Sequence, residues 1–362
     1  MAGKTARGMF AVLQSAQAAK QAGTGYFYGV SETSRVHAPG RVNLIGEHTD
    51  YTGGLVFPMA IDRGTTLTYT ATDDSVELTS GDVAGRVNFP VPFTGSAADE
   101  TPDWGAYVAA MAGELGAPTG LRGHLVSDIP AGAGLSSSAA LECAVGLALG
   151  FDGTSLELAQ AAQRAEHAAT GVPTGIMDQL SIAAGVAGHA TLIDCHSLEV
   201  TPHLIPDDID IVVKFIVHRR LVGSAYADRV AECERAEVDI GPLRLASPDD
   251  VARVTDPIAQ RRARHVIAEN RRVMKFATEL AAGNYVAAGQ IMVDGHASLR
   301  DDFDTSTDQM DAAVGALNAL PGVFGTRMTG GGFGGCIVAI CAPGAVTDGW
   351  VVKPSAGAHH VA

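Results

Sequence analysis

Apolar positions along the chain group into short runs first and long periodic stretches later. Between Val36 and Glu77 they form V-N-L-I, L-V-F-P-M-A-I-D and T-T-L-T-Y-T, separated by turn residues, which predicts strands. The Asp- and Gly-rich stretch 73–100 reads as turns around short strands. Trp104 to Leu115 has helical apolar spacing, and Leu121 to Ile129 predicts a strand that runs into a Gly-rich loop and a helix, L-E-C-A-V-G-L-A-L. Leu156 to Ala169 predicts a helix with a small, Ala-rich face, and Leu192 to Cys195 a strand. The Pro-containing segment 202–206 reads as a domain boundary, which divides the chain into 1–205 and 206–362. The second part opens with a strand, Ile209 to Val217, followed by helices over about 224–237, 258–282 and 284–299. Ahead of all this, residues 9–22 predict a short amphipathic helix, ended by the Gly- and Tyr-bearing segment 23–30.

Composition narrows the class. The chain has 362 residues, 46% apolar and 18% charged, which suits a globular protein of about two domains. A formal charge of −15 argues against nucleic acid or an anionic membrane surface as the main partner, so any bound phosphate needs a local site. No apolar run approaches the ~20 residues that cross a bilayer. The five cysteines show no paired metal-ligand spacing and read as small buried thiols in a reducing cytoplasm, where the protein is expected.

Three stretches stand out from this background. Ala38 to Tyr51 reads A-P-G-R-V-N-L-I-G-E-H-T-D-Y and crowds Arg41, Glu47, His48 and Asp50 between two apolar strand runs. A turn needs Gly, Asn or Asp, not such a set, so the stretch reads as a ligand site. Pro130 to Ala140, P-A-G-A-G-L-S-S-S-A-A, is a Gly-rich loop opening into a helix. Such a junction offers backbone N–H groups and the positive helix end to a phosphate, though it also reads as an ordinary serine-capped start. It lacks the Gly-Lys-Ser/Thr of a Walker A loop. Arg327 to Ile340, R-M-T-G-G-G-F-G-G-C-I-V-A-I, implies a backbone held close to a ligand or another loop. Asp178, beside Ile176, Met177 and Leu180, reads either as a helix cap or as a buried catalytic base.

With these motifs in this order the chain resembles the galactokinase family of the GHMP small-molecule kinase superfamily. G-R-V-N-L-I-G-E-H-T-D-Y is similar to the signature that sets this family apart, P-A-G-A-G-L-S-S-S-A-A to the superfamily phosphate loop, and T-G-G-G-F-G-G to its C-terminal glycine motif. The resemblance runs from about residue 26 nearly to the end. It implies an α+β, two-domain GHMP kinase fold, with an N-terminal domain of the ribosomal protein S5 domain 2-like type and a ferredoxin-like C-terminal domain. It implies phosphorylation by ATP of the C1 hydroxyl of α-D-galactose, the first committed step of galactose catabolism by the Leloir pathway. The cofactors would be ATP and Mg²⁺ and the partners small molecules, in a monomer or weak homodimer. Carried over by motif, Asp178 and Arg41 are the catalytic pair. Glu47, His48, Thr49, Asp50, Gly175 and Tyr226 bind the sugar. Gly132, Ala133, Gly134, Leu135, Ser136, Ser137 and Ser138 bind ATP, and Ser138 with Glu166 holds the metal.

Three departures from the family pattern carry expectations of their own. Lys214-Phe215 stands where the family commonly has Asn-Ser or Asp-Thr, which bears on the tuning of the sugar pocket. Val230 follows Arg229 where a second arginine is usual. Only about ten residues separate Cys341 from V-V-K-P-S-A-G-A, where members place a helix, so one face of the C-terminal sheet is expected to lie exposed. A non-catalytic sensor of galactose and ATP, and a kinase for N-acetylgalactosamine or a related sugar, remain the alternatives.

Overall fold

β-branched and aromatic residues at alternating depth build the longest strand, β3 (Pro58–Thr72), whose P-M-A-I start is fully buried and whose T-L-T-Y-T end is half-buried. It belongs to a computed structural model that describes residues 33–130, 132–218 and 223–362. The helix expected over 9–22 and the turn over 23–30 lie outside the described residues. β3 pairs on one side with β1 (Ser34–Asn43) and on the other with β6 (Gly120–Ser127). β4 (Ser75–Ser80), parallel to β6, and β5 (Arg86–Pro90), with β13 (His359–His360) at the opposite edge, extend a six-stranded sheet to the order β13-β1-β3-β6-β4-β5. A register shift between Pro39 and Arg41 kinks β1, where the Arg41 N–H leaves the ladder and donates to the Leu135 carbonyl at 3.1 Å.

Helices α1 (Asp103–Glu114), α2 (Ser137–Ala148), α3 (Ser155–Thr170) and α4 (Met177–Ala183) pack together, with α2 and α4 against β1 and β3. α3 starts at a capping box of Thr154 and Glu157 and stops at Gly171 in the left-handed region. β2 (Leu55–Val56), β7 (His189–Asp194) and β8 (Glu199–Leu204) form a second, three-stranded sheet. Residues 202–204, expected within a domain boundary, are thus strand, and the 205/206 division falls between β8 and β9 (Asp210–Val217).

The four-stranded sheet has the order β10-β11-β9-β12, with β10 (Val323–Thr329), β11 (Gly335–Cys341) and β12 (Trp350–Val352). Its helices are α5 (Gly223–Ile240), α6 (Pro257–Ala281), α7 (Tyr285–Asp301) and α8 (Asp308–Asn318). α6 begins at Asp256, whose carboxylate accepts the Ile258 and Ala259 N–H groups, with Pro257 in the first turn. The expected exposed sheet face is absent in β11. Cys336, Val338 and Ile340 join the core shared with the six-stranded sheet, while Ile337, Ala339 and Cys341 join a second core with α5 to α8. α8 lies across β9, β10 and β11 and covers that second face. Partial exposure lies at Asp210 and Lys214–Val217 of β9, at Val323 and Phe324 of β10, and in β12.

The segment after β12 runs back to the other sheet. Lys353 exchanges hydrogen bonds with Asp62, Ser355 N–H donates to the Ala60 carbonyl, and Gly357 N–H to that of Gly185. β13 (His359–His360) then covers the outer edge of β1. Among the described residues no helix is long and apolar enough to cross a membrane.

Candidate active site

The Gly-rich loop reaches the start of α2 through three residues with positive φ, Gly132, Gly134 and Ser136. Ser136 occupies the N-cap, yet its hydroxyl does not cap the helix; it donates instead to Asp178 Oδ2. The N–H groups of the first turn of α2 therefore face outward without a side-chain cap, where they suit an anion. Ala133 and Leu135 bury their side chains and contribute only backbone.

Asp178 stands in the first turn of α4 with its side chain 30% exposed. Arg41 grips it with a two-pronged fork, Nε to Oδ1 at 2.8 Å and Nη2 to Oδ2 at 2.6 Å. The remaining arm, Nη1, donates to the Gly134 carbonyl at 2.6 Å. One guanidinium thus locks β1, the glycine loop and α4 around a single carboxylate.

Ser138 Oγ donates to Glu166 Oε1 at 3.1 Å. Glu166 Oε2 accepts from Gln179 Nε2 at 2.5 Å and from the Thr174 hydroxyl at 3.3 Å. Burial, reinforced by the Asp178 charge, raises the Glu166 carboxyl above its ordinary range. Behind it the fully buried Glu142 is raised still further, by burial and then by Glu166.

The signature loop between β1 and β2 forms the opposite wall. Helix α6 holds its backbone: Glu269 Oε1 accepts the Gly46 N–H, Asn270 Oδ1 the Leu55 N–H, and His265 bonds the Glu47 carbonyl at 3.1 Å. Glu47 pairs with Arg327 and accepts the Gly330 N–H at 3.2 Å. Burial pushes its carboxyl up to about 7, with Arg327 opposing and Glu269 adding. His48, at φ 63°, contacts the Tyr51 hydroxyl at 3.1 Å and packs on Phe303 and Tyr226. Asp50 is pushed up to about 6 by burial and then by Asp178. Gly175 leaves no room for more than a hydrogen, since a Cβ there would overlap the Asp50 carboxylate.

These walls enclose a cleft of about 380 Å³, lined among others by Arg41, Glu47, His48, Asp50, Asp178 and Tyr226. Of the expected site residues, Thr49, Ala133 and Leu135 do not line it; for Thr49 the reason is local. Its hydroxyl donates within its own loop, to the Gly46 or Leu55 carbonyl, at full burial. Lys214 and Phe215 do not line the cleft either: Lys214 Nζ pairs with Asp348 at 2.6 Å, and Phe215 packs on His218. Arg229 ties Glu232 to Asp304, and Val230 faces a different cavity.

Sequence reasoning missed several contributors. Gln179 follows Asp178 directly, and Gly330 and Gly331 belong to the third glycine-rich stretch, so motif adjacency could have found them. A second cavity of about 510 Å³, lined by Trp104, Tyr107, Leu125, Ile129 and Leu141, meets the cleft at Ser137 and Ser138. No local pattern marked Trp104 or Tyr107.

Comparison with known proteins gives the family. The galactokinase galactose-binding signature matches residues 26–71, the GHMP kinases N terminal domain residues 104–186, and the GHMP kinases C terminal domain residues 276–349. The galactokinase of Chloroflexus aurantiacus is 42% identical over 353 residues, covering 90% of each chain. The Homo sapiens galactokinase is 41% identical over 332 residues, covering 86% of this chain and 85% of its own. The crystal structure of Lactococcus lactis galactokinase complexed with galactose superposes with a TM-score of 0.85 at 31% identity, covering 97% and 99% of the two chains. The chain, an α+β protein of GHMP kinase fold, belongs to the galactokinase family.

Proposed function

We propose that the protein transfers the γ-phosphoryl group of ATP to the C1 hydroxyl of α-D-galactose, giving α-D-galactose 1-phosphate and ADP. The observation that carries this reading is the partly exposed Asp178 carboxylate, clamped by Arg41 and Ser136 between the glycine loop and the signature loop. A carboxylate so held can align a hydroxyl and take its proton. The sugar oxygen then attacks the γ-phosphorus, the bond to the β,γ-bridging oxygen breaks, and the proton rests on Asp178. Arg41 offsets charge on the transferring group while keeping Asp178 in register.

Glu47, His48, Asp50 and Tyr226 supply the polar contacts to the sugar, and Gly175 keeps the Asp50 carboxylate in place. Charged acceptors suit a neutral ligand dense in hydroxyls. In this reading Thr49 serves as a brace within the loop. The N–H groups at the start of α2, with Gly132, Gly134 and Ser136 to Ser138, hold the phosphates. The Trp104 cavity takes the base, since it is the aromatic-lined space that joins them.

Ser138 and Glu166 offer the hard oxygen donors that Mg²⁺ prefers. Two such donors would leave the rest of an ion's coordination to water and phosphate oxygens. Bound there, Mg²⁺ would neutralise charge on the phosphates. We further propose a domain division at 205/206, supported by the β8–β9 break and by the matched N- and C-terminal regions on either side of it. A cytoplasmic monomer or weak homodimer completes the proposal.

The test is ADP release over a panel of sugars, with wild type beside Asp178→Asn. Galactose should give turnover that falls at least about 1,000-fold in the variant while galactose still binds. Wild type that binds galactose without turnover would overturn the kinase reading in favour of a sensor. Higher kcat/KM for N-acetylgalactosamine would replace the substrate.

A further inference from the structure

Arg327 is the largest fully buried side chain of the described residues, and it points from β10 toward the cleft wall. Its guanidinium pairs through Nη2 with Glu47 of the signature loop and through Nη1, at 2.8 Å, with Glu269 of α6. Space for it comes from Gly295 in α7, where a Cβ would stand 3.3 Å from Nη1. Glu269 in turn accepts the Gly46 N–H and pairs with Arg272 at 2.6 Å. Burial alone would raise the Glu269 carboxyl, and Arg327 and Arg272 more than reverse this, leaving it below the usual carboxylate range.

We propose that Arg327 is a positioning residue for sugar recognition, fixing the plane and charge of the Glu47 carboxylate where it borders the cleft. The proposal rests on the galactose reading above and goes beyond it by giving a role to the Arg327 side chain, which that reading does not use. A carboxylate has about four acceptor sites. The Gly330 N–H occupies one on Oε1 and the Arg327 charge lies against Oε2, which restricts the directions left for a hydroxyl. Stability alone gives no reason for the arrangement, because a buried ion pair can often be exchanged for apolar residues without loss. An apolar exchange could not hold Glu47 charged and aimed. Beyond Arg327, the groups that act on Glu47 are Glu269 from α6, the Gly330 N–H after β10 and Arg41 from β1.

The experiment compares wild type, Arg327→Lys, and the charge-balanced double variant Arg327→Met/Glu269→Gln, which protects against failure of an unbalanced core to fold. Calorimetry with galactose, with its 4-epimer glucose and with a non-hydrolysable ATP analogue reads binding independently of turnover. Circular dichroism and thermal midpoints confirm folding. Lysine keeps the charge and loses the fork, so galactose Kd should rise about 10-fold. The double variant should lose about 100-fold, with galactose-over-glucose discrimination shrinking by a similar factor. ATP-analogue Kd should stay within about threefold in both, a split that a purely structural role would not produce. A folded variant that binds galactose within twofold of wild type, or that loses galactose and ATP analogue by the same factor, overturns the assignment. Wild type that binds galactose without phosphorylating it defeats the kinase reading while leaving this comparison intact. Wild type that binds no galactose defeats both.

Discussion

Gly175→Ala tests the site at its tightest point. The added methyl would coincide with the Asp50 carboxylate and crowd its Cβ as well, so the carboxylate must swing away or the 171–176 segment must retreat. Overpacking of this kind costs about 1–3 kcal/mol of stability. The functional loss should be larger, because a displacement of about 1 Å in a positioning group can cost on the order of 100-fold in rate. Asp50 borders the sugar side of the cleft, whereas Ser136 to Ser138 lie across it. Galactose KM should therefore rise roughly 100-fold, with ATP KM within about threefold. Steady-state kinetics with each substrate varied, together with urea unfolding, measures both effects. In an Asp50→Ala background most of the overlap is gone, and the stability penalty of the methyl should fall below half. A Gly175→Ala enzyme with wild-type galactose KM, or a penalty unchanged by Asp50→Ala, would refute the reasoning.

Three further outcomes are expected. Galactose binding needs Glu47 and Asp50 as acceptors, and their carboxyls sit near 7 and 6. Affinity should hold above pH 7, fall roughly 10-fold per unit between pH 7 and 6 and more steeply below 6, while the same two groups stabilise the ligand-free fold in acid and cease to as the pH rises through 6 and 7; calorimetry from pH 5.5 to 8.5 that shows no acid limb contradicts this. Trp104→Ala should raise ATP KM about 10-fold and leave galactose KM alone, and parallel changes in kinetic assays would remove the Trp104 cavity from the nucleotide site. Glu166→Gln should raise the Mg²⁺ concentration for half-maximal rate by about 10-fold at unchanged galactose KM, and an unchanged Mg²⁺ titration would exclude Glu166 as a ligand.

Much of the site was legible because its chemistry is local. Arg41, Glu47, His48 and Asp50 come from one short stretch, and the glycine loop announces itself through residues that accept positive φ. Their meeting with Asp178 was legible only through the family likeness, since nothing in G-I-M-D-Q says that Arg41 reaches it. The role of Arg327 stayed hidden because its partners, Glu47 and Glu269, are distant in sequence and Glu269 looks like an ordinary surface charge in its own helix. Helix α8 was passed over although Met310, Val314 and Leu317 share one buried face, because Gly315 and the flanking aspartates weaken the pattern. It covers the β11 face that the missing helix was expected to leave open. The strands β12 and β13 are too short to signal themselves, and tertiary pairing alone defines them.

The segment that joins β12 to β13 has a consequence for how the protein is made. β1 is an early strand, yet its outer edge is covered by His359 and His360, 322 positions after His37. At ordinary rates of synthesis that delay is roughly 15 to 65 s. Throughout it the nascent five-stranded sheet presents open backbone donors and acceptors along β1 beside the half-built site. The strand that carries Arg41 is thus the last in its sheet to be sealed, and the growing chain is exposed to wrong pairing until His359 and His360 have been made.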